Sequence, residues 1–408
     1  MTVLIYTSKS SYTGVKVGGA ETSLRLLGET LAGQGHSVIY ATGAGGSVWR
    51  AVDRWINGVR VLFLPSFRNA LGRRLPLWMS RRLDRLARRH AGLERAVDLR
   101  RVDIIIIYYQ LDIGHYVVSR RARYGYRVVM RMAGLDWYEE ARRSAARAAR
   151  YSRLFAEVDA INYNSEGLRR LCAERAAELG MQLSPRREFV LDVGVAPAAG
   201  RLPWSGGSSD GRFRAVVATR FSSYQKRHDL LLGAVAILAG DEVISPADFE
   251  LTLAGEGRRR EEMQRLAVRL EIEALCRFVP YLPQADLWRA LADSDLLCHP
   301  CEYEGLSKII AEAMSMGVPV LASDVVPVND QIDDRRTGFL AANSEQAWAN
   351  ALAELIANPE LRRNVSEPAR RYAAAHYDPE VNARRYIEEF ERMMMDDARP
   401  RSREAAGV

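Results

Sequence analysis

The chain has 408 residues, 48% of them apolar, with a formal net charge of +7. That length and composition suffice for two cores of ordinary domain size and exclude a disordered or fibrous polypeptide. The four cysteines, Cys172, Cys276, Cys298 and Cys301, are too few and too unevenly spaced for a disulfide framework, and no apolar run approaches the ~18 residues that cross a bilayer, so a cytoplasmic protein, at most peripheral on the inner face of a membrane, is expected.

In chain order, strands are predicted at 2–6 (TVLIY), 37–41, 60–64, 103–109 (DIIIIYY), 127–131 (RVVMR), 158–163 and 188–193, with crossover helices at 20–34 and 165–179. Several strands are continuous apolar runs, as parallel strands buried on both faces require. Between them lies an arginine-rich stretch, RNALGRRLPLWMSRRLDRLARRHAGLERAVDLRR, starting at 68. At helical spacing Met79, Leu83, Leu86, His90 and Leu93 share one side. The 73–95 segment therefore reads as a basic amphipathic helix, either docked on its own domain or in contact with anionic lipid. Its aromatics do not interleave with the basic residues as a base-stacking surface would, and no nucleic acid partner is expected.

A Gly/Pro/Ser-rich stretch at 195–211 interrupts the pattern. Strand and helix alternation restarts with strands at 213–219, 248–254, 276–280, 295–299 and 318–323 and helices at 228–239, 258–270, 284–292 and 307–316. The expected architecture is α/β, two tandem Rossmann-like doubly wound domains facing each other across a cleft, with ligands at the carboxyl ends of the strands. The expected division is a domain over 1–195, a linker over 196–211, a second domain over 212–375, a helix over 376–397 packing back on the first domain, and a flexible tail over 398–408.

The segment EYEGLSKIIAEAMSMGVPV, 302–320, carries the chemistry. Ser307 is placed to cap a helix whose first amides, near Lys308, can hold an anion such as a diphosphate, and Gly305 lets the backbone approach it. Glu312 lies five residues on, about 7.5 Å along the axis at about 1.5 Å per residue, the step from a phosphate to a ribose. Glu304, on the other side of that site, is placed for hydroxyls of whatever the diphosphate carries. Arg220 and Lys226, after the strand at 213–219, supply two cations for the same diphosphate. Gly255 and Glu256 follow another strand, and Gly18 and Gly19 precede the first crossover helix.

These pieces, with NSEGLRR, DVGV, RFVPYLPQADLWRALADSDLLCHP and RRTGFL, make the chain similar over nearly its whole length to the retaining glycosyltransferases of family 4, the glycosyl transferases group 1 with GT-B architecture. The resemblance implies a nucleotide-sugar donor, a UDP- or GDP-sugar, and a hydroxyl acceptor, lipid-linked or free, in cell-surface glycan, glycolipid or glycoside synthesis. It implies that Arg220 and Lys226 neutralise the diphosphate, that Glu304 contacts the transferred sugar, that amides from Leu306 to Lys308 hold phosphate, that Glu312 takes the ribose, and that Gly18-Gly19 close on the donor. No cofactor and no metal are implied. Many relatives carry a histidine where this chain has Ala133; Arg131 and Asp136 are candidates for the acceptor side, and Trp137 and Tyr138 for its pocket or for packing. A nucleotide-sugar 2-epimerase and a catalytically weak donor-binding protein share the same architecture. Cys298-His-Pro-Cys301 copies a thiol-redox motif in letters only, since its thioredoxin-like surroundings are missing.

Overall fold

The structure, a computed structural model, describes residues 1–8, 10–13, 19–43, 51–64, 89–195, 203–222 and 224–396. The chain divides into two compact units. One comprises 1–164, 172–193 and the chain from 379 onward; the other comprises 165–171 and 194–378.

The first unit is built on β1 (Thr2–Thr7), β2 (Ser37–Thr42), β3 (Val52–Ile56), β4 (Val59–Phe63), β5 (Ile104–Ile107), β6 (Arg127–Met132), β7 (Ala160–Tyr163) and β8 (Glu188–Val190). They form one sheet in the order β3-β4-β2-β1-β5-β6-β7-β8. All neighbours are parallel except β3 and β4. Because helices cover both faces, Ile104 to Ile107 are buried at every position, and no alternation is left in the sequence. The helices are α1 (Gly19–Gly33), α2 (Arg89–Ala96), α3 (Leu111–Tyr124), α4 (Asp136–Ala141), α5 (Ala145–Glu157) and α6 (Glu166–Glu178), the last of which belongs to this unit only from Cys172 onward. On α1, Leu24, Leu27 and Leu31 recur at helical spacing and enter the same core as Val3 and Ile5.

Strands β9 (Phe213–Ala218), β10 (Phe249–Ala254), β11 (Cys276–Val279), β12 (Leu296–His299), β13 (Val320–Ser323) and β14 (Phe339–Ala341) make the second, wholly parallel sheet, in the order β11-β10-β9-β12-β13-β14. Its helices are α7 (His228–Gly240), α8 (Arg260–Arg269), α9 (Gln284–Ala292), α10 (Lys308–Met316), α11 (Glu345–Ala357) and α12 (Pro359–His376). One face is closed by Leu231, Val235 and Trp348 from α7 and α11; the other by Ile310, Met314 and Ala373 from α10 and α12. In each sheet the strand order reverses once, between β1 and β5 and between β9 and β12, and ligands of such sheets sit outside the carboxyl ends at that reversal.

The last helix, α13 (Pro379–Asp396), belongs to the first unit, where Ala383, Tyr386 and Phe390 are buried in its core. Its docking explains Arg131, an expected acceptor-side residue that the fold places elsewhere. Arg131 is 1% exposed. Its guanidinium donates to Asn162 Oδ1 at 2.7 Å, to Asp192 Oδ2 at 3.2 Å and to the Tyr386 hydroxyl, which itself lies 2.7 Å from Asn162 Oδ1. A buried cation needs such partners, and with them Arg131 fastens α13 instead of facing a substrate.

Of the basic segment at 73–95, residues 73–88 lie outside the described residues. Its last turns are docked: Leu93 is buried, and His90 stacks on Tyr116 with ring centroids 4.1 Å apart and holds Nδ1 3.0 Å from the Tyr6 hydroxyl. The expected linker is not loose where it is described. The backbone N–H of Trp204 donates to the Met316 carbonyl at 3.0 Å, and its indole N–H donates to the Ser294 carbonyl at 2.7 Å.

Candidate active site

The carboxyl ends of β9 and β12 are neighbours because the strands pair, with Leu296 opposite Ala215 and Leu297 opposite Val216. Beyond β9 the chain runs through Thr219 and Arg220 into a 3-10 turn, Tyr224–Lys226, and on into α7. Beyond His299, the last residue of β12, it runs through 300–307 into α10. Polar contacts stitch the two connections together. The backbone N–H of Glu302 donates to the Gln225 carbonyl at 2.8 Å, Gln225 Nε2 donates to the Tyr303 carbonyl at 2.7 Å, and Arg227 pairs with Glu302 at 2.9 Å. The start of the second loop is clamped from behind: Cys301 N–H donates to Ser323 Oγ, and Asn343 Nδ2 donates to the Cys301 carbonyl, both at 2.9 Å.

That stitching sets the Lys226 ammonium directly against Glu304 Oε2, with the side chains only 13% and 21% exposed. Burial pushes Lys226 down to about 8; the Cys301 sulfur opposes this shift and Arg220 reinforces it. Contact with the Glu304 carboxylate acts the other way and keeps the ammonium charged at neutral pH. Arg220 itself is exposed and makes no ion pair among the described residues.

Two histidines lie beneath the pair. His299 Nε2 is 3.5 Å from Glu304 Oε2 and 1% exposed. His228 is buried at the start of α7, stacked on Phe221 with centroids 4.0 Å apart, its Nε2 2.9 Å from Thr219 Oγ1. Burial first, and then the charge of Lys226, holds both rings neutral: His228 is pushed down to about 3 and His299 lies well below the usual imidazole range. The spacing of motifs missed both histidines. Their role emerges only from the β9–β12 pairing.

Gly255 and Gly257 have φ of +153° and +151°. A Cβ on Gly255 would strike the Thr219 carbonyl oxygen, and one on Gly257 the backbone of Phe221, so the connection after β9 packs against bare backbone there. Glu256 lies between them and its carbonyl accepts from Phe221 N–H at 3.0 Å.

At the start of α10, Ser307 occupies the expected cap position with φ −81° and ψ 111°, but its hydroxyl makes no cap bond. Gln331 explains the difference by holding the Ser307 backbone on both sides, accepting from its N–H at 2.7 Å and donating to its carbonyl at 3.1 Å. The first-turn amides near Lys308 are therefore not capped by Ser307, which suits an anion site. Glu312, one turn further, is 8% exposed, and its Oε2 accepts from Gln284 Nε2 at 2.9 Å and from the Trp288 indole at 3.4 Å. Gly305 and Leu306 are partly exposed in the loop between Glu304 and Ser307. The second unit thus brings together Arg220, Lys226, Glu304 and the start of α10, with Glu312 on the same helix.

In the first unit, Gly18 lies outside the described residues, and Gly19 is the exposed first residue of α1. Asp136 is exposed at the start of α4, whereas Trp137 is fully buried against Phe155, so of its two expected roles packing is the one observed. Cys298 and Cys301 are buried free thiols with the thiolate disfavoured by burial, and they form no redox pair.

The sequence profile "Glycosyltransferase Family 4" matches residues 17–177, and "Glycosyl transferases group 1" matches 201–372, in adjoining stretches that together span most of the chain. The chain belongs to this glycosyltransferase family. An uncharacterized glycosyltransferase of Haemophilus influenzae is 31% identical over 125 residues, 30% of this chain and 35% of that protein. Matches to the first curated relatives span from 33% to 45% of those proteins' lengths. Among solved structures, the sucrose-phosphate synthase of Thermosynechococcus elongatus superposes with TM-score 0.77 at 17% identity, over 97% of this chain and 100% of that one. Anabaena HepE in complex with UDP-glucose superposes with TM-score 0.70 at 16% identity, over 96% and 100%. The two α/β units thus have the GT-B architecture.

Proposed function

We propose that the protein transfers a sugar from a nucleoside diphosphate sugar to a hydroxyl acceptor with retention at the anomeric carbon and without a metal ion. The observation that carries this reading is the meeting of Lys226 and Glu304 at the strand-order reversal of the second sheet, beside Arg220 and the start of α10, where the Ser307 hydroxyl makes no cap bond. The diphosphate lies on Arg220, Lys226 and the amides of Leu306 to Lys308. Glu312 turns from Gln284 and Trp288 to the ribose hydroxyls, and Glu304 holds the sugar. The bond from the anomeric carbon to the diphosphate breaks, the acceptor oxygen bonds that carbon on the same face, and its proton passes to the departing diphosphate oxygen. Positioning and charge stabilisation supply the acceleration, with two cations in the role of a divalent ion.

A UDP-sugar donor is supported by the UDP-glucose complex of HepE. The first unit takes the acceptor on the Asp136 side, and a lipid-linked acceptor would bring the 73–95 segment to an anionic surface. Incubation with UDP-, GDP- and ADP-glucose and polyhydroxy acceptors, followed by nucleotide release and the anomeric coupling of the product, tests this. Nucleoside diphosphate release with a retained anomeric configuration, absent in Lys226→Ala, is expected; an isomerised nucleotide sugar with no release would establish the epimerase instead.

A further inference from the structure

The Lys226–Glu304 contact has a consequence for the donor site on which this inference rests. A lysine that must neutralise a diphosphate and a glutamate that must hold a sugar neutralise each other in this structure. Donor binding therefore exchanges an ion pair instead of filling a vacant cation site. When Lys226 turns to the diphosphate, Glu304 loses its counterion within a few ångströms of two added phosphate charges. A mostly buried carboxylate in that position is unfavourable unless another donor reaches it.

Besides Lys226, the ionisable group within 4 Å of that carboxylate among the described residues is His299. His299 Nε2 lies 3.5 Å from Glu304 Oε2, the same oxygen that Lys226 contacts, and just beyond a normal hydrogen bond. Both His299 ring nitrogens are buried without a hydrogen-bond partner, although such groups in native proteins almost always have one. His299 is fixed as the last residue of β12, with its neighbour loop clamped at Cys301 by Ser323 and Asn343. From the 3.5 Å separation a shift of roughly half an ångström brings the carboxylate into hydrogen-bonding range. We propose that His299 is a positioning residue: its Nε2–H takes over the Glu304 carboxylate as the donor diphosphate draws Lys226 away, keeping Glu304 aimed at the sugar.

A neutral imidazole suits this role. It donates one hydrogen bond without adding a further positive charge to compete with the diphosphate, and burial beside Lys226 holds the ring in that form. His228, the other ring beneath Lys226, has Nε2 engaged with Thr219, and of the two histidines it is His299 that lies within 4 Å of the Glu304 carboxylate.

The test is a double-mutant cycle read by calorimetric binding of UDP and of GDP to the full chain. His299→Leu, which keeps bulk but removes the donor, weakens the bound nucleotide about tenfold in the wild-type background. In the Glu304→Gln background, where no carboxylate is stranded, it has no effect. His299→Gln, whose amide donates in the same direction, restores most of the wild-type affinity. An equal loss in both backgrounds, or no rescue by His299→Gln in a variant that melts like the wild type, overturns the exchange. If the wild type and Glu304→Gln bind neither nucleotide, the donor-site reading itself fails and takes the exchange with it. Binding by Glu304→Gln alone supports both, because it shows the Lys226–Glu304 ion pair competing with the nucleotide for Lys226.

Discussion

The two sheets reverse their strand order in the same way, yet the two reversals carry different chemistry. At the second, between β9 and β12, the carboxyl ends present Arg220, Lys226, Glu304 and two neutral histidines. At the first, between β1 and β5, they present hydroxyls. Thr7 ends β1 and donates to the Tyr40 hydroxyl at 3.4 Å, and the Tyr12 ring meets Tyr40 edge-on with centroids 5.2 Å apart. Thr42 Oγ1 and Gln110 Oε1, at the ends of β2 and beyond β5, are buried without a hydrogen-bond partner. Burial pushes the Tyr40 and Tyr109 phenols up to about 12, so both stay neutral donors. One framework thus offers a cation-bearing site suited to a diphosphate and a hydroxyl-rich edge, with carboxylates such as Glu21 and Asp136 acting on its phenols, suited to a polyol. Fold alone does not decide which ligand a reversal takes; the side chains at the strand ends do.

If that division is right, substitutions in the second unit remove donor handling, whereas those in the first unit alter only acceptor handling. The largest effect is expected for Lys226→Ala, which removes a charge from the leaving diphosphate and lowers turnover by about a hundredfold or more, as measured by nucleotide release. Next comes Glu312→Ala, which weakens UDP binding by roughly tenfold in calorimetry, the cost of a charge-assisted hydrogen bond to the ribose. In the first unit, Asp136→Asn raises the acceptor KM severalfold and leaves UDP affinity unchanged; a matching loss of UDP affinity would dissolve the distinction between the two edges.

A smaller effect comes with pH. Burial pushes Lys226 down to about 8 and the Glu304 contact opposes that shift, so the ammonium gives up its proton only as pH rises past about 8. Once the terminal phosphate of UDP is fully ionised, UDP affinity therefore declines as pH rises past 8, while Lys226→Arg, whose charge persists, removes the decline. Equal pH profiles for the wild type and the arginine variant would place the titrating group elsewhere.

Much of this organisation is legible in the sequence because parallel strands covered on both faces leave unbroken apolar runs such as Ile104 to Ile107. Strand β3 does not: its residues Asp53, Arg54 and Trp55 are exposed on an edge, so neither period nor apolar run marks it. Helices α3 and α5 are masked by arginines on their solvent faces, while Val117, Leu154 and Phe155 point inward. In the site, Glu304 and Glu312 are readable because one loop and one helix turn fix their spacing. Arg131 is misread because its partner Tyr386 lies 255 residues away, and His299 is overlooked because its neighbour Lys226 arrives in the turn after a different strand. Local spacing encodes local geometry; contacts made by strand pairing and by the returning C-terminal helix have no such signature.

The central claim is that the second sheet's reversal binds a nucleoside diphosphate with Glu312 on the ribose. A thermal-shift panel of UDP, GDP, ADP, CMP and dTDP on the wild type and Glu312→Ala tests it most directly. The account predicts that one nucleoside diphosphate raises the melting temperature of the wild type and that the variant loses most of that rise; a wild type stabilised by none of them would contradict it.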